Sequence, residues 1–225
     1  MKSDRYASYG VPGYYLVNNV WNDAQVGAGQ QSINPPQGKS FSWNWNWGIN
    51  PTYVPVSYPS VIFGNKPWDP QSSSTKSLPR QVSQIKQLNA THDYAISSSG
   101  RYNVAYDLWL IEGVQSSKAT IRTEIMVWIE SSGNVQPYGK FEEENEKYSL
   151  YIGQPEGDRS WHCYSFKLKK QSLKSGIVNL GDFIQQLVKK KLVNPNLYVA
   201  DVEFGTEIWD GKGEMNIKSY QVSVT

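Results

Sequence analysis

The sequence predicts an all-β fold, a sandwich or jelly roll, with one helix on its surface. Turn residues recur throughout the 225 residues. Most segments between them alternate polar with apolar residues or are rich in β-branched and aromatic residues, which is typical of strands. No regular alternation of strand and helix is present, which disfavours a parallel α/β fold. One large all-β domain accounts for this length, so a second domain is not required.

Ten segments are predicted as strands. They cover residues 14–21, 40–47, 81–87, 92–97, 102–109, 120–130, 147–153, 160–168, 198–209 and 215–225. Clusters of Pro, Gly and Ser at 34–38, 50–59 and 65–77 predict long loops, and such loops usually cover or border a site. The acidic run at 142–144 is interpreted as an exposed strand edge or loop.

Residues 179–192 depart from this pattern. Their apolar positions follow helical spacing, Asn179 is suited to cap the first turn, and Pro195 follows the end. We therefore expect one surface helix over 179–192, with the lysines at 189–191 on its solvated face.

Composition and charge are compatible with sugar binding and disfavour nucleic-acid binding. The chain has nine tryptophans and fifteen tyrosines. About two thirds of the aromatic side chains are expected in the core, and the remainder are available to stack on sugar rings. The net charge of +2 is scattered, so no basic surface for nucleic acid is predicted.

The few cysteines and histidines disfavour a metal site and a Ser-His-Asp catalytic site. Cys163 is the only cysteine, which excludes an internal disulfide, and it is interpreted as a small packed residue on a strand. His92 and His162 lack metal-ligand spacing, so no metal site is expected. No Gly-x-Ser-x-Gly motif supports a Ser-His-Asp hydrolase.

Targeting signals are absent from the printed sequence. No apolar stretch reaches a membrane-spanning length, and the first residues lack the apolar core of a signal peptide. The protein is therefore either intracellular or the mature form of an exported one.

Acidic residues lie opposite the apolar faces of three predicted strands. Period-two alternation puts Glu124, Met126 and Trp128 on one face of their strand, and Asn103, Asp107 and Trp109 on one face of theirs. The third strand carries its acids, among them Asp201, Glu203 and Glu207, on one side as well. These faces are either solvated polar faces or the floor of a cleft.

A pair of carboxyl groups in such a cleft is the equipment of a retaining glycoside hydrolase. One carboxylate attacks the anomeric carbon while the other, protonated, donates to the leaving oxygen, so their environments must differ. Glu124 and Glu207 are the candidates for this pair. Asp107 could hold the nucleophile by hydrogen bonding.

The ordered motifs resemble glycoside hydrolase family 12. They are Asn-Asn-x-Trp at 18–21, Trp-Asn-Trp-Asn-Trp at 43–47, Val-Ser-Tyr-Pro at 56–59, Asn-Val-Ala-Tyr-Asp-Leu-Trp at 103–109, Glu-x-Met-x-Trp at 124–128 and Phe-Gly-Thr-Glu at 204–207. The resemblance extends over nearly the whole chain, to residues 216–220. It implies a β-jelly-roll sandwich of two curved antiparallel sheets and a single catalytic domain over residues 1–225.

The resemblance also implies residue roles. Glu124 matches the family nucleophile, Glu207 the acid/base, and Asp107 the aspartate that hydrogen-bonds the nucleophile. The implied substrate-binding residues are Asn19, Trp21, Trp68, Asn103, Met126 and Trp128. The single cysteine departs from the N-terminal disulfide of some fungal members, and segments 34–36 and 141–147 have no clear counterpart.

The implied activity is endo-acting, retaining hydrolysis of β-1,4-glucan without a cofactor. A preference for xyloglucan or mixed-linkage glucan stays open, because cleft loops decide it. A non-catalytic carbohydrate-binding module is the alternative from another class. The polysaccharide substrate implies an extracellular protein, and we expect a monomer with no nucleic-acid partner and no membrane insertion.

Overall fold

The computed structural model describes residues 1–68, 73–154, 161–169 and 172–225. Within these ranges the strands are β1 Ser8–Val11, β2 Tyr14–Val17, β3 Gln30–Ile33, β4 Phe41–Trp47, β5 Ser60–Gly64, β6 Arg80–Gln81, β7 Leu88–Ser99, β8 Tyr102–Ile111, β9 Ile121–Ser132, β10 Lys140–Glu144, β11 Tyr148–Gly153, β12 His162–Leu168, β13 Ser175–Asn179, β14 Tyr198–Val199, β15 Asp201–Gly205 and β16 Gly211–Val224. One α-helix, α1, spans Leu180–Lys189, and short 3₁₀ turns cover Asp23–Gln25, Val82–Gln84 and Lys118–Thr120.

The strands form two sheets, which confirms the predicted all-β sandwich. The larger sheet has the order β1-β2-β5-β15-β8-β9-β12-β11-β10, with β14 and β6 attached beside β8. The smaller sheet has the order β13-β7-β16-β4-β3. Pairing is antiparallel except between β9 and β12, which run parallel.

The core lies between the sheets, and a group of stacked aromatic rings spans it. Tyr106 and Phe204 of the larger sheet stack with ring centroids 4.7 Å apart. Phe204 in turn stacks on His92 and Tyr220 of the smaller sheet, at 5.2 and 5.5 Å. Offset ring pairs of this kind add to the stabilisation that their buried area already provides.

The predicted helix is confirmed over most of its length. The Asn179 side chain accepts a hydrogen bond from the Asp182 amide and so caps the first turn. Leu180, Ile184 and Leu187 are buried against the sandwich. The helix ends at Lys189, earlier than expected, and Lys191 adopts a positive φ of 61°.

Three predicted strands are wrong in their extent. The strand predicted over 14–21 ends at Val17, and residues 18–21 contribute only an isolated bridge between Val20 and Ser57. Residues 81–87 have only Gln81 in a strand and form a 3₁₀ turn at Val82–Gln84, because the Val82 and Ser83 amides donate to the carbonyl oxygens of Leu197 and Pro195 and not to a neighbouring strand. The segment 198–209 is divided into β14 and β15, and β15 ends at Gly205. A Cβ at Gly205 would lie 2.4 Å from the Pro59 carbonyl oxygen, so this glycine permits a close backbone approach.

Several elements were not predicted, among them β5, which is buried along its whole length between two predicted loops. The acidic run at 142–144 lies on the exposed edge strand β10, as interpreted from the sequence. The predicted strand 160–168 and loop 65–77 each extend partly outside the described residues. No helix in the described ranges is both long enough and apolar enough to cross a bilayer.

His92 of the smaller sheet contacts the larger sheet through one ring nitrogen and a loop carbonyl through the other, and these contacts generate a stability prediction. Nδ1 lies 2.6 Å from the Tyr106 hydroxyl and Nε2 lies 2.7 Å from the Leu173 carbonyl oxygen. Burial lowers the pKa of His92, so the unfolded chain takes up a proton more readily than the folded protein. The stability that neutral His92 provides is therefore complete above its unfolded pKa of about 6.5 and is lost as the pH falls.

We expect His92→Gln to lower the free energy of unfolding by about 1–2 kcal/mol at pH 8, because two buried hydrogen bonds are disturbed. The deficit should be smaller at pH 5, because Gln does not take up a proton. Urea denaturation at both pH values measures it, with the exposed His162→Gln as control. An equal deficit at both pH values would contradict the assignment.

Candidate active site

A cleft of about 640 Å³ opens on the face of the larger sheet that points away from the core. Its polar lining consists of Asn19, Lys66, Asp107, Glu124 and Glu207. Its aromatic lining consists of Tyr6, Trp21, Tyr58, Trp68, Trp109 and Trp161, and Met126 forms part of the floor. The structure thus brings together seven of the nine site residues expected from the sequence.

Strand register explains why the acids converge. In the β8–β9 pair, Asp107 lies opposite Met126 and Trp109 lies opposite Glu124, so Asp107 and Glu124 are diagonal neighbours on one face. In the β15–β8 pair, Glu203 lies opposite Asp107. Val104, Tyr106, Leu108 and Leu110 of β8 point the other way into the core, as the period-two pattern predicted.

Glu124 is a buried carboxyl group held by hydrogen-bond donors. Trp161 Nε1 donates to Glu124 Oε2 at 3.0 Å, and the Cys163 thiol, adjacent in the β9–β12 register, also bonds to the carboxylate. Burial raises the pKa of Glu124 to about 7, while these two donors and Lys66 lower it from a still higher value.

Glu207 lies two residues beyond β15 and is fixed by Asn103. The Asn103 amide donates to the Glu207 carbonyl oxygen, and the Glu207 amide donates back to Asn103 Oδ1, both at 3.0 Å. Asn103 Nδ2 also donates to Glu207 Oε2. Burial raises the pKa of Glu207 to about 8, offset in part by the Asn103 bond.

The pKa of Asp107 is shifted towards the protonated form. Burial, followed by the charges of Glu124 and Glu203, raises its pKa well above the ordinary value. A protonated carboxyl group next to Glu124 is a hydrogen-bond donor. Asp107 is therefore suited to stabilise an ionised Glu124.

Four tryptophans shape the walls. Trp68, Trp109 and Trp161 pack edge to face, with ring centroids 5.5–5.8 Å apart. Lys118 Nζ lies 5.0 Å from the Trp68 ring. Trp21 and Trp68 are each 39% exposed, which leaves indole surface free for a sugar ring.

Asn19 occupies a tight backbone position at the edge of the cleft. It has a positive φ of 44°. Its Nδ2 donates to the Tyr58 carbonyl oxygen at 3.2 Å, and the Tyr58 amide donates to the Asn19 carbonyl oxygen at 3.0 Å. These two bonds fix the residue beside Trp21.

Two expected substrate-binding residues do not line the cleft. Trp128 is 2% exposed and packs with Val135 and Trp209, so its indole is covered by neighbouring segments. Asn103 is fully buried and faces Glu207 instead of the cavity.

Sequence reasoning missed Trp161 and the pair Lys66–Glu203. Lys66 Nζ lies 2.7 Å from Glu203 Oε1, and both side chains are buried. Trp161 immediately precedes β12, so only the parallel β9–β12 pairing brings it to Glu124. Neither contact leaves a local signal, because the partners are 137 and 37 residues apart.

The two histidines lie elsewhere. His92 is in the core and His162 is exposed on β12. In the described part of the chain, no group of three or more His, Cys, Asp or Glu side chains is arranged to hold a metal ion.

Two acidic groups with different hydrogen-bond partners, in an aromatic cleft on a β-sandwich, define the class of glycoside hydrolases. The sequence model of "Glycosyl hydrolase family 12" matches residues 12–225, and the chain belongs to this family. It is a glycoside hydrolase.

Several named proteins are similar to it. Endoglucanase S of Pectobacterium parmentieri is 30% identical over 221 residues, which cover 94% of this chain and 81% of that protein. A probable xyloglucan-specific endo-beta-1,4-glucanase A of Neosartorya fischeri is 28% identical, covering 98% and 90%. Among solved structures, the native family 12 xyloglucanase from Bacillus licheniformis has a TM-score of 0.90 and 30% identity, covering 100% and 99%.

The contacts of Glu124 and Glu207 predict the order in which they titrate. Glu207 should take up its proton at a higher pH than Glu124, and Asn103→Ala should raise the pKa of Glu207 further, because the carboxylate loses a donor. Titration of ¹³C-labelled glutamate carboxyl groups by NMR measures both values.

Asn44→Ala is the matched control for this titration, because Asn44 lies on β4 of the smaller sheet and accepts from Ser32. An unchanged or lower midpoint for Glu207 in Asn103→Ala would refute the assignment.

Proposed function

We propose that this family 12 hydrolase is an endo-acting β-1,4-glucanase that works with retention, with residues 1–225 as one catalytic domain. The observation that carries the proposal is the pair Glu124 and Glu207, which share one cleft but differ in their hydrogen-bond donors. Relatives named as an endoglucanase and as a probable xyloglucan-specific endo-beta-1,4-glucanase support an activity of this kind.

Glu124 is the proposed nucleophile. Its carboxylate attacks the anomeric carbon, the glycosidic C–O bond breaks, and the Glu207 proton passes to the leaving oxygen. The product of this step is a glycosyl ester on Glu124. Asp107, neutral and adjacent, donates to the carboxylate before attack and stabilises its ionised form.

Glu207 then acts as a base. It takes a proton from water, the water oxygen bonds to the anomeric carbon, and the ester to Glu124 breaks. This second inversion restores the original anomeric configuration, and the proton on Glu207 is regenerated. The two carboxyl groups and water balance the reaction, so no cofactor is required.

The pKa order supports this assignment of roles. Activity requires Glu124 to be ionised, which is favoured above about pH 7, and Glu207 to be protonated, which is favoured below about pH 8. If Glu207 were the nucleophile and Glu124 the acid, the proton would have to be on Glu124, the carboxyl group with more hydrogen-bond donors. Hydrogen bonds to an anion favour its ionised form, so Glu124 is the better anion.

The walls of the cleft fit a glucan chain. Trp21 and Trp68 offer half-exposed indole faces for pyranose rings, Met126 forms the floor, and Asn19 is positioned to bond sugar hydroxyls. An insoluble or very large substrate implies that the enzyme acts outside the cell, and we propose that it does so as a monomer.

Preference for xyloglucan is a second candidate, favoured by the names of several relatives and by the 30% identity to a family 12 xyloglucanase. We expect the highest kcat/KM on the polymer whose side chains the cleft accepts. Initial rates on carboxymethylcellulose, barley β-glucan and tamarind xyloglucan decide between the candidates. Binding of these polymers without release of reducing ends would instead favour a carbohydrate-binding module.

Substitution of each glutamate tests the mechanism directly. Glu124→Gln and Glu207→Gln should each lower kcat on soluble glucan by roughly 10³-fold or more, because a group that reacts in the transition state is lost. Glu130→Gln is the control: Glu130 bonds to Tyr94 and Tyr102, outside the cleft.

Azide rescue then separates the two roles. With an activated aryl cellobioside, Glu207→Ala should yield the β-glycosyl azide, because azide attacks the glycosyl ester from the opposite face. Glu124→Ala should yield the α-glycosyl azide. Near-full activity of Glu124→Gln, or the opposite azide products, would show that the roles are assigned wrongly.

A further inference from the structure

The ion pair between Lys66 and Glu203 lies beneath the cleft with its two charges at different depths. Lys66 Nζ contacts both carboxylate oxygens of Glu203, at 2.7 and 2.8 Å. Lys66 is 7% exposed and lines the cleft, whereas Glu203 is fully buried behind it. The positive end of the pair therefore faces the site.

The orientation of this pair is fixed from the protein side. Ser60 Oγ donates to Glu203 Oε2 at 2.8 Å, and Trp109 Nε1 donates to Glu203 Oε1 at 3.0 Å. With Lys66, three donors hold the carboxylate. An ion pair held in this way has little freedom to rotate, so its field at the cleft is permanent.

Resting on the proposed function, we propose that Lys66 is a positioning residue: its ammonium group, oriented by Glu203, keeps Glu124 ionised while Glu207 holds its proton. The titratable groups that act on Glu124 come from three strands and two loops. They are Asp107 on β8, Cys163 on β12, Glu203 on β15, and Lys66 and Glu207 in the loops that follow β5 and β15.

The sign of this effect follows from charge. Burial raises the pKa of Glu124, the charge of Glu203 adds to that rise, and Lys66 lowers the pKa. Lys66 itself keeps its charge: although burial opposes ionisation, Glu203 raises the pKa of Lys66 above its usual value. The Glu124 and Glu207 values, about 7 and about 8, are close. Loss of a nearby cation raises the pKa of Glu124 and so opposes the difference in protonation between Glu124 and Glu207.

The experiment is the pH dependence of kcat/KM on carboxymethylcellulose for wild type, Lys66→Met and Lys66→Arg. Lys66→Met should move the acid limb up by about one pH unit, a roughly tenfold loss on the acid side, as expected for removal of one neighbouring opposite charge. The alkaline limb should stay in place, because Asn103 fixes Glu207. Lys66→Arg should restore the acid limb.

Two further variants separate electrostatics from folding. Lys66→Met/Glu203→Gln leaves no unpaired buried carboxylate and should show an upward displacement that is smaller than in Lys66→Met, because the Glu203 charge that raises the pKa of Glu124 is lost as well. Lys190→Met is the matched control, because Lys190 pairs with Glu143 at 2.7 Å on the exposed surface. Its profile should equal that of wild type. Circular dichroism and thermal unfolding report whether each variant is folded.

An unchanged acid limb in folded Lys66→Met, or a raised KM with an unchanged profile, overturns the proposal. So does a loss of folding in both Met variants while Lys66→Arg stays folded, since the pair is then structural. Failure of the proposed function is distinguishable, because wild type would then release no reducing ends. If wild type is active and the acid limb of Lys66→Met is unchanged, only the proposed role of Lys66 is refuted.

Discussion

The antiparallel register of β15, β8 and β9 is the constraint on which the site depends. It puts Glu203 beside Asp107 and Glu124 beside Trp109, all on the face opposite the core. A slip of one residue in either pairing would turn these carboxyl groups into the aromatic core and the core residues into the cleft. The stacked rings of Tyr106, Phe204 and Tyr220 oppose such a slip, so packing on one face fixes the chemistry on the other.

Crowding acids on one buried face carries an electrostatic cost, and the structure offsets it differently at each position. Burial raises the pKa of Asp107 and so favours its protonated form, Glu203 is paired with Lys66, and Glu124 receives donors from Trp161 and Cys163. These different solutions make the carboxyl groups chemically unequal. Unequal carboxyl groups are what a retaining mechanism requires, because one must be an anion while the other is an acid.

The sequence predicted which face of a strand each side chain lies on better than it predicted which segments cover that face. Alternation in β8 and β9 correctly separated the core residues from Asp107, Glu124 and Met126, because period two follows from strand geometry alone. Trp128 was assigned to the correct face but not to the correct environment. Its indole is covered by Val135 and Trp209, and periodicity does not report which segments cover a face.

Contacts between distant segments were beyond sequence reasoning for the same reason. Lys66 follows β5, and it meets Glu203 because β5 lies beside β15 in the sheet. Strand order is set by the whole fold and leaves no mark on either segment. The Asn-Val-Ala-Tyr-Asp and Phe-Gly-Thr-Glu motifs were recognisable as local patterns, whereas the Asn103–Glu207 ring of hydrogen bonds was not.

The free energy of burying an ion pair bears on why Lys66 and Glu203 lie under the cleft. A buried ion pair contributes little net stability, because desolvation of both groups offsets most of their attraction. An apolar pair of similar volume would serve packing equally well. Stability alone therefore does not explain Lys66 and Glu203, but the field of the pair does act on a neighbour. A fixed positive end at the cleft wall favours the anion of Glu124, and the low dielectric that makes the pair costly also makes that field strong.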